Sequence, residues 1–178
     1  MELANPRYVV VMPAALAQLT IPRLGIQPHH HVLEIGCGGG TAVSAVAELL
    51  ETGAILAIDR SAANVARATR RNARHVGRGV ASIVQVDLDD LDVPAQSFDT
   101  IFALNVNLFQ VDQERTVGFI RRALRRRGRL VLGYGRRNTD QLGARADRIC
   151  THLRAGGMVS VDAEWAGDAC LYILARRS

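Results

Sequence analysis

The stretch from Val32 to Gly40, with the sequence Val-Leu-Glu-Ile-Gly-Cys-Gly-Gly-Gly, constrains the fold of this chain more than any other. An apolar run typical of a buried strand leads into a turn dense in glycine, and a helix-forming segment follows from Thr41. Glycine permits positive φ and lets a ligand approach the backbone, while the first turn of a helix offers unpaired N–H groups and the positive end of its dipole. The stretch therefore predicts a strand, turn and helix that bind a nucleotide.

The spacing of the glycines separates this turn from the usual dinucleotide fingerprint. That fingerprint is G-x-G-x-x-G, whereas here Thr41 stands where the third glycine should be. The glycines fall instead at Gly36, Gly38 and Gly40, and Glu34 stands two positions before the first of them. The arrangement E-x-G-x-G-x-G at the end of a first strand resembles the S-adenosylmethionine (SAM) site of Rossmann-like class I methyltransferases.

The rest of the chain alternates predicted strands and helices. Strands are predicted over His31–Ile35, Ala54–Ile58, Val80–Val86, Thr100–Leu104, Arg129–Tyr134, Val159–Glu164 and Cys170–Arg176. Helices are predicted over Thr41–Leu50, Ser61–His75, Gln113–Leu124 and Thr139–Leu153. Continuous apolar runs imply strands that are buried on both faces, which is typical of a parallel sheet covered by helices. The last two strands are joined by a short turn and predict a hairpin.

A hairpin that closes an otherwise parallel sheet is similar to the carboxyl end of the class I methyltransferase fold. The resemblance implies an α/β, Rossmann-like, doubly wound seven-stranded sheet of order 3-2-1-4-5-7-6, with the last strand antiparallel and helices on both faces. We expect one domain over residues 1–178, in which a short N-terminal cover (1–30) precedes a SAM-binding core (31–178). Pro6, Pro13, Pro22 and Pro28 are expected to break any helix of the cover into short pieces.

Composition limits the class of partner. The chain has 178 residues and 48% hydrophobic content, enough to bury one good core. Its net charge is +5, but all 22 basic residues are arginine, which suggests codon bias and gives weak support for nucleic acid binding. The densest cluster, from Arg121 to Arg129, is expected to be a solvated helix end, with RNA or another anion as the alternative. The single Trp165 argues against a base-stacking surface.

Cysteine and histidine usage favours a reduced cytoplasmic protein without a metal. The three cysteines show no CxxC spacing, so neither a disulfide framework nor a zinc site is indicated. Consecutive residues of a strand point in alternating directions, so the run from His29 to His31 is expected to be a turn that leads into the strand. We expect no signal peptide and no membrane partner, since apolar runs are short.

Acidic residues at successive strand ends extend the resemblance. Asp59 lies 23 residues after Gly36, a spacing that places its carboxylate beside the ribose of a bound nucleotide. The alternative is a surface aspartate that caps the next helix. Asp87, after the third strand, resembles the family's acid that accepts a hydrogen bond from the adenine amino group, and Leu88 would supply an amide to a ring nitrogen. The register is open, because other carboxylates are available at Asp89, Asp90 and Asp92.

The resemblance assigns further residues to the cofactor, which would be SAM, with S-adenosylhomocysteine (SAH) as the product. Asn105 ends the fourth strand, where the family contacts the methionine end, largely through a backbone carbonyl. In the family, Glu34 orients the glycine turn and reaches the cofactor's ammonium group; helix capping is the alternative. Arg60 could stack on the cofactor or point to solvent. The cofactor-binding candidates are Glu34, Gly36, Cys37, Gly38, Gly40, Asp59, Arg60, Asp87, Leu88 and Asn105.

Candidates for contact with the methyl acceptor follow the fourth and fifth strands. Asn107 and Phe109 are expected either to face the transferable methyl group or to pack the loop. Tyr134 and Arg136, with Arg137 beside them, stand at the carboxyl end of the fifth strand, where open α/β sheets bind ligands. A flexible basic loop is the alternative there. No general base can be identified with any specificity.

The resemblance implies a methyltransferase that acts by in-line displacement on an unidentified, most simply a small-molecule, acceptor. A protein or RNA acceptor is also possible, because few residues are available to cover the cleft. Met1–Leu24 or the second subunit of a homodimer could close it. The N-P-P-Y signature of methylases that act on nucleobases or glutamine is absent, because Val106 follows Asn105. The alternatives are a non-catalytic SAM-binding protein and, less favoured, an NAD(P)-dependent oxidoreductase.

Overall fold

The structure is a computed structural model that describes residues 13–135, 139–167 and 170–178. Within these ranges the strands are His31–Ile35 (β1), Ala54–Asp59 (β2), Ala81–Gln85 (β3), Phe98–Leu104 (β4), Leu124–Gly135 (β5), Met158–Ala166 (β6) and Cys170–Arg177 (β7). The α-helices are Pro13–Leu24 (α1), Thr41–Ala47 (α2), Ala62–Arg71 (α3), Ala73–Gly77 (α4), Gln113–Ala123 (α5) and Thr139–Ala155 (α6). No helix in the described part of the chain combines the length and the apolar character that a membrane span requires.

The strands form one sheet of order β3-β2-β1-β4-β5-β7-β6, which confirms the predicted topology. β1 occupies the middle of the parallel part, where Leu33 pairs with Leu56 of β2 on one side and Ile101 of β4 on the other. β7 runs antiparallel to both β5 and β6. The chain therefore ends in the antiparallel hairpin that its sequence predicts.

Helices cover both faces of the sheet and bury it between two apolar clusters. On one face, α1 and α2 contribute Leu16 and Val43, which are fully buried. On the other face, α5 and α6 contribute Val117 and Ile149. The central strands β1, β2 and β4 are thus shielded from water on both sides, which agrees with their continuous apolar sequences. The edge strands β3 and β6 are largely exposed, so for them the expected burial on both faces is wrong.

The expected break at Pro22 is wrong, because α1 continues through this residue to Leu24. Pro22 lies in the last turn of the helix, and the carbonyl that its missing N–H leaves unpaired belongs to the exposed residue Gln18. Burial of Leu16 and Leu24 against the sheet stabilises the whole helix. Pro13 stands at the first helical position, which tolerates proline. The expectation for Pro6 lies outside the described residues.

The predicted second helix divides into α3 and α4 at Asn72, whose backbone leaves the helical region with φ of −104° and ψ of 18°. The Asn72 side chain is fully buried and turns toward the glycine segment after β1. This interruption brings a polar side chain from the end of α3 to the edge of the sheet where β1, β2 and β4 end.

Candidate active site

A cleft of about 580 Å³ opens at the carboxyl ends of the parallel strands. Its wall joins the glycine turn after β1, the tip of β2, the segment after β3 and the loop after β4. Four peptide segments that are distant in sequence meet there because parallel strands present their carboxyl ends at one edge. The predicted candidates that line the cleft are Gly36, Gly38, Asp59, Arg60, Asp87, Leu88, Asn105 and Asn107.

The Asp59 carboxylate is fixed at the cleft wall by three donors. Oδ2 accepts hydrogen bonds from the Gly38 N–H at 2.9 Å and from Asn64 Nδ2 at 3.1 Å, and Oδ1 accepts one from the Ser61 N–H at 2.9 Å. A carboxylate offers about four acceptor sites, so the network leaves room for a ligand donor. Ser61 Oγ itself caps α3 by accepting from the Asn64 N–H. Sequence reasoning missed Asn64, although its place in the first turn of a helix that begins beside Asp59 is the signal for it.

The glycine turn is fastened from two sides. The N–H groups of Gly36 and Cys37 both donate to the Ile58 carbonyl of β2, at 2.8 and 2.9 Å. On the other side, Asn72 Nδ2 donates to the Gly40 carbonyl at 2.9 Å. Gly40 has φ of +74°, and a Cβ there would lie only 2.5 Å from Asn72 Nδ2. Cys37 and Gly40 therefore shape the turn from behind and do not line the cleft.

The Glu34 side chain is almost completely buried. Only 2% of its surface is exposed, and Oε2 has no hydrogen-bond partner among the described residues. Burial, and then the nearby Asp59 carboxylate, raise the pKa of Glu34 to about 8. Glu34 does not line the cleft, but a cationic ligand group held near its unpartnered oxygen would favour the ionised form.

Glu34→Gln should change how stability depends on pH. The folded-state pKa of Glu34 lies above its unfolded value, so the unliganded wild type should lose stability relative to the variant as pH rises from about 4.5 to about 8. The loss should approach at most about 1.4 kcal/mol per pH unit inside this window and level off above it. Urea unfolding of both proteins across this pH range measures the difference. If the free energies of unfolding of the two proteins change in parallel with pH, Glu34 is not a buried neutral carboxyl group.

The segment after β3 presents two carboxylates to the cleft. Asp87 is exposed, and its Oδ1 accepts a hydrogen bond from the Asp89 N–H at 3.3 Å, which caps the short 3-10 turn Leu88–Asp90. Asp87, Leu88 and Asp89 line the cleft, whereas Asp92 does not. Two of the four carboxylates that the sequence offers are thus positioned for a ligand.

Asn105 links the ends of two strands. It adopts φ of +55°, its N–H donates to the Gly133 carbonyl at 2.8 Å, and its Oδ1 accepts from the Gly135 N–H at 2.9 Å. The side chain is therefore engaged with β5, while the residue still lines the cleft. Exposed Asn107 follows it on the cleft wall.

Of the other acceptor candidates, the two in the described part of the chain do not line this cleft. Phe109 is buried in the apolar cluster beneath α5 and α6, so it packs the loop. Tyr134 is also buried, with Arg145 lying 4.8 Å from its ring centroid, and burial raises the pKa of its phenol while the Arg145 charge opposes the shift. Arg136 and Arg137 lie outside the described residues.

Comparison with known proteins gives the family. A family model described as a methyltransferase domain matches residues 26–173. The protein YrhH of Bacillus subtilis (strain 168), named as a candidate methyltransferase, is 26% identical over 117 residues. That match covers 66% of this chain and 64% of YrhH, so the chain spans less than two thirds of that relative's length.

Solved structures show the same fold. A SAM-dependent methyltransferase from Aquifex aeolicus superposes with a TM-score of 0.79 at 16% identity, covering 94% of each chain. Phosphoethanolamine N-methyltransferase 2 of Haemonchus contortus, solved with phosphomonomethylethanolamine and SAH, gives a TM-score of 0.73 at 13% identity over 90% of this chain and 52% of its own. The family match and the antiparallel β7 both favour a methyltransferase over the oxidoreductase alternative. The chain therefore belongs to the methyltransferase domain family.

Proposed function

We propose that this chain transfers the methyl group of SAM to a small-molecule acceptor and releases SAH. The observation that carries the proposal is the single cleft in which the glycine turn, the Asp59 carboxylate and the end of β4 meet. SAM supplies an electrophilic methyl group on a sulfonium sulfur. A lone pair of the acceptor forms the new bond in line as the carbon–sulfur bond breaks, so the protein has mainly to position the two reactants and exclude water.

The charges of the cleft suit this cofactor. Among the described residues that line it, four carry carboxylates and Arg60 carries the only side-chain cation; the four are Asp59, Asp87, Asp89 and Asp112. A negative cleft in a chain of net charge +5 favours a ligand with a sulfonium and an ammonium group. In this proposal Asp59 receives the ribose hydroxyls, while Asp87 and Leu88 receive the adenine.

The methionine end would lie between Glu34 and the end of β4. Asn105, held by its hydrogen bonds to β5, would present its backbone carbonyl there. The ammonium group of the cofactor would approach the buried Glu34 carboxyl. Val106, Asn107 and Leu108 continue the cleft wall beyond this point and would meet the acceptor. Their apolar and amide side chains suit a small organic molecule without a negative charge.

The acceptor class and the cellular location are parts of the same proposal. A protein or RNA acceptor is the competing possibility, because the described loops leave the cleft open along one side. A cytoplasmic location is supported by the three cysteines, which are all free and buried.

Titration calorimetry tests the cofactor assignment. We expect SAM and SAH to bind with dissociation constants below the millimolar range, and we expect no heat of binding from NADH or NADPH at the same concentrations. A cell extract incubated with the protein and methyl-tritiated SAM should then yield a labelled low-molecular-weight product that chromatography separates from SAM and that is missing without the added protein. Absence of SAM binding would overturn the proposal, whereas label confined to protein or RNA would overturn only the acceptor class.

A further inference from the structure

The outer surface of α3 and α4 carries a dense run of positive charge beside the cleft. The segment 60–79 contains six arginines and no acidic residue, a formal +6 in a chain whose net charge is +5. The rest of the chain is therefore slightly acidic. All six side chains are exposed, and we call the five beyond the cleft the arginine face: Arg67, Arg70, Arg71, Arg74 and Arg78.

Contacts within the described chain do not account for this charge. None of the six arginines takes part in an ion pair there, and the one side-chain hydrogen bond among them joins Arg67 to Asn64 Oδ1 at 2.5 Å. Like charges four residues apart, as in Arg67 and Arg71, destabilise a helix. The helix dipole favours the arginines at the C-terminal ends of α3 and α4, which are Arg70, Arg71, Arg74 and Arg78, but it does not account for Arg67.

The arginine face is continuous with the cleft. Asn64 lines the cleft and also accepts the hydrogen bond from Arg67, so the positive surface begins where the cofactor site ends. Arg60, at the tip of β2, belongs to the cleft wall. A large anion bound along α3 would therefore pass the open side of the cleft.

We propose that the arginine face binds the phosphate backbone of double-stranded nucleic acid. Guanidinium groups match phosphate oxygens in a bidentate geometry, and successive turns of a helix present them at regular spacing. The ten residues of α3 span roughly 15 Å, and Arg74 and Arg78 extend the positive charge beyond its end, so the face is long enough to follow several phosphates of a duplex. The segment 60–79 has no aromatic residue, so it lacks the stacking platform that single strands use.

This surface lies outside the proposed methyl-transfer chemistry and does not depend on the identity of the acceptor. Binding of a fluorescently labelled mixed-sequence RNA duplex, followed by anisotropy at several salt concentrations, tests it. The triple variant Arg71→Gln/Arg74→Gln/Arg78→Gln should bind at least about tenfold more weakly, and its salt slope should fall by about 2 to 3, since three phosphate contacts are removed. A DNA duplex of the same sequence should respond in the same way.

A second triple variant, Arg121→Gln/Arg126→Gln/Arg127→Gln, removes the same charge from exposed positions at the end of α5 and the start of β5. It should retain the wild-type affinity and salt slope. Equal losses in both triples would show attraction to net charge alone and would overturn the arginine face. The proposal would also be overturned if the wild-type protein did not bind the duplex at physiological salt, or if it bound phosphatidylcholine–phosphatidylglycerol vesicles instead.

The readout for the cofactor stays separate. Neither triple variant changes a residue assigned to the cofactor, so both should bind SAH as tightly as the wild type in calorimetry. A loss of duplex binding at unchanged SAH affinity supports a surface that acts independently of the cleft. If the wild type fails to bind SAH while the duplex result holds, the proposed function falls and the arginine face stands.

Discussion

Replacing Asp59 with alanine should weaken SAH binding by about 10- to 150-fold, which corresponds to about 1.5–3 kcal/mol for lost hydrogen bonds to a charged group. The variant removes the carboxylate proposed to receive the ribose. It also releases the Gly38 N–H and Asn64 Nδ2, which the carboxylate holds in place. Calorimetric titration of both proteins with SAH measures the loss.

Two companion variants separate charge from position. Asp59→Asn keeps the size and one acceptor oxygen but loses the charge, so its affinity should fall between those of the wild type and Asp59→Ala. Asp92→Ala removes an exposed carboxylate that does not line the cleft and should bind SAH normally. If Asp59→Ala binds SAH as tightly as Asp92→Ala, the proposed role of Asp59 is wrong.

The sequence predicts the bounds of strands well where the apolar pattern is regular. It predicts them less well where pairing with a neighbouring strand determines the bounds. β1 has its predicted bounds, because a buried parallel strand shows an unbroken apolar run. β5 begins at Leu124 instead of Arg129, because Leu124 pairs with Phe98 and the register then shifts before Arg129 pairs with Thr100. The polar residues between them hide this pairing from any local pattern.

The residues of the site likewise differ in whether the sequence alone could locate them. Strand ends can be located in the sequence, so Asp59, Asp87 and Asn105 could be placed at one edge of the sheet. Asn72 acts through a hydrogen bond to Gly40, 32 residues away, and only the tertiary structure brings the two together. Phe109 could have faced the ligand or the core, and its burial follows from how α5 packs on the sheet.

Substitution of Gly40 should give a large loss of stability. An alanine Cβ would lie 2.5 Å from Asn72 Nδ2 and 2.9 Å from the Ala68 Cα, which belongs to the backbone of α3 and cannot move freely. The left-handed conformation costs a side chain about 1–2 kcal/mol, and overpacking adds about 1–3 kcal/mol. Gly40→Ala should therefore lower the free energy of unfolding by about 2–5 kcal/mol, a large part of what a domain of this size has.

The neighbouring glycines provide matched controls for this expectation. Gly38 also has positive φ, but a Cβ there would meet nothing within 4 Å, so Gly38→Ala should cost only the conformational part, about 1–2 kcal/mol. Gly39 has open space and no positive φ, so Gly39→Ala should stay within about 0.5 kcal/mol of the wild type. Urea unfolding of the three variants should rank them Gly40, Gly38, Gly39. Equal effects at Gly40 and Gly38 would show that the close contact with α3 does not restrict the turn.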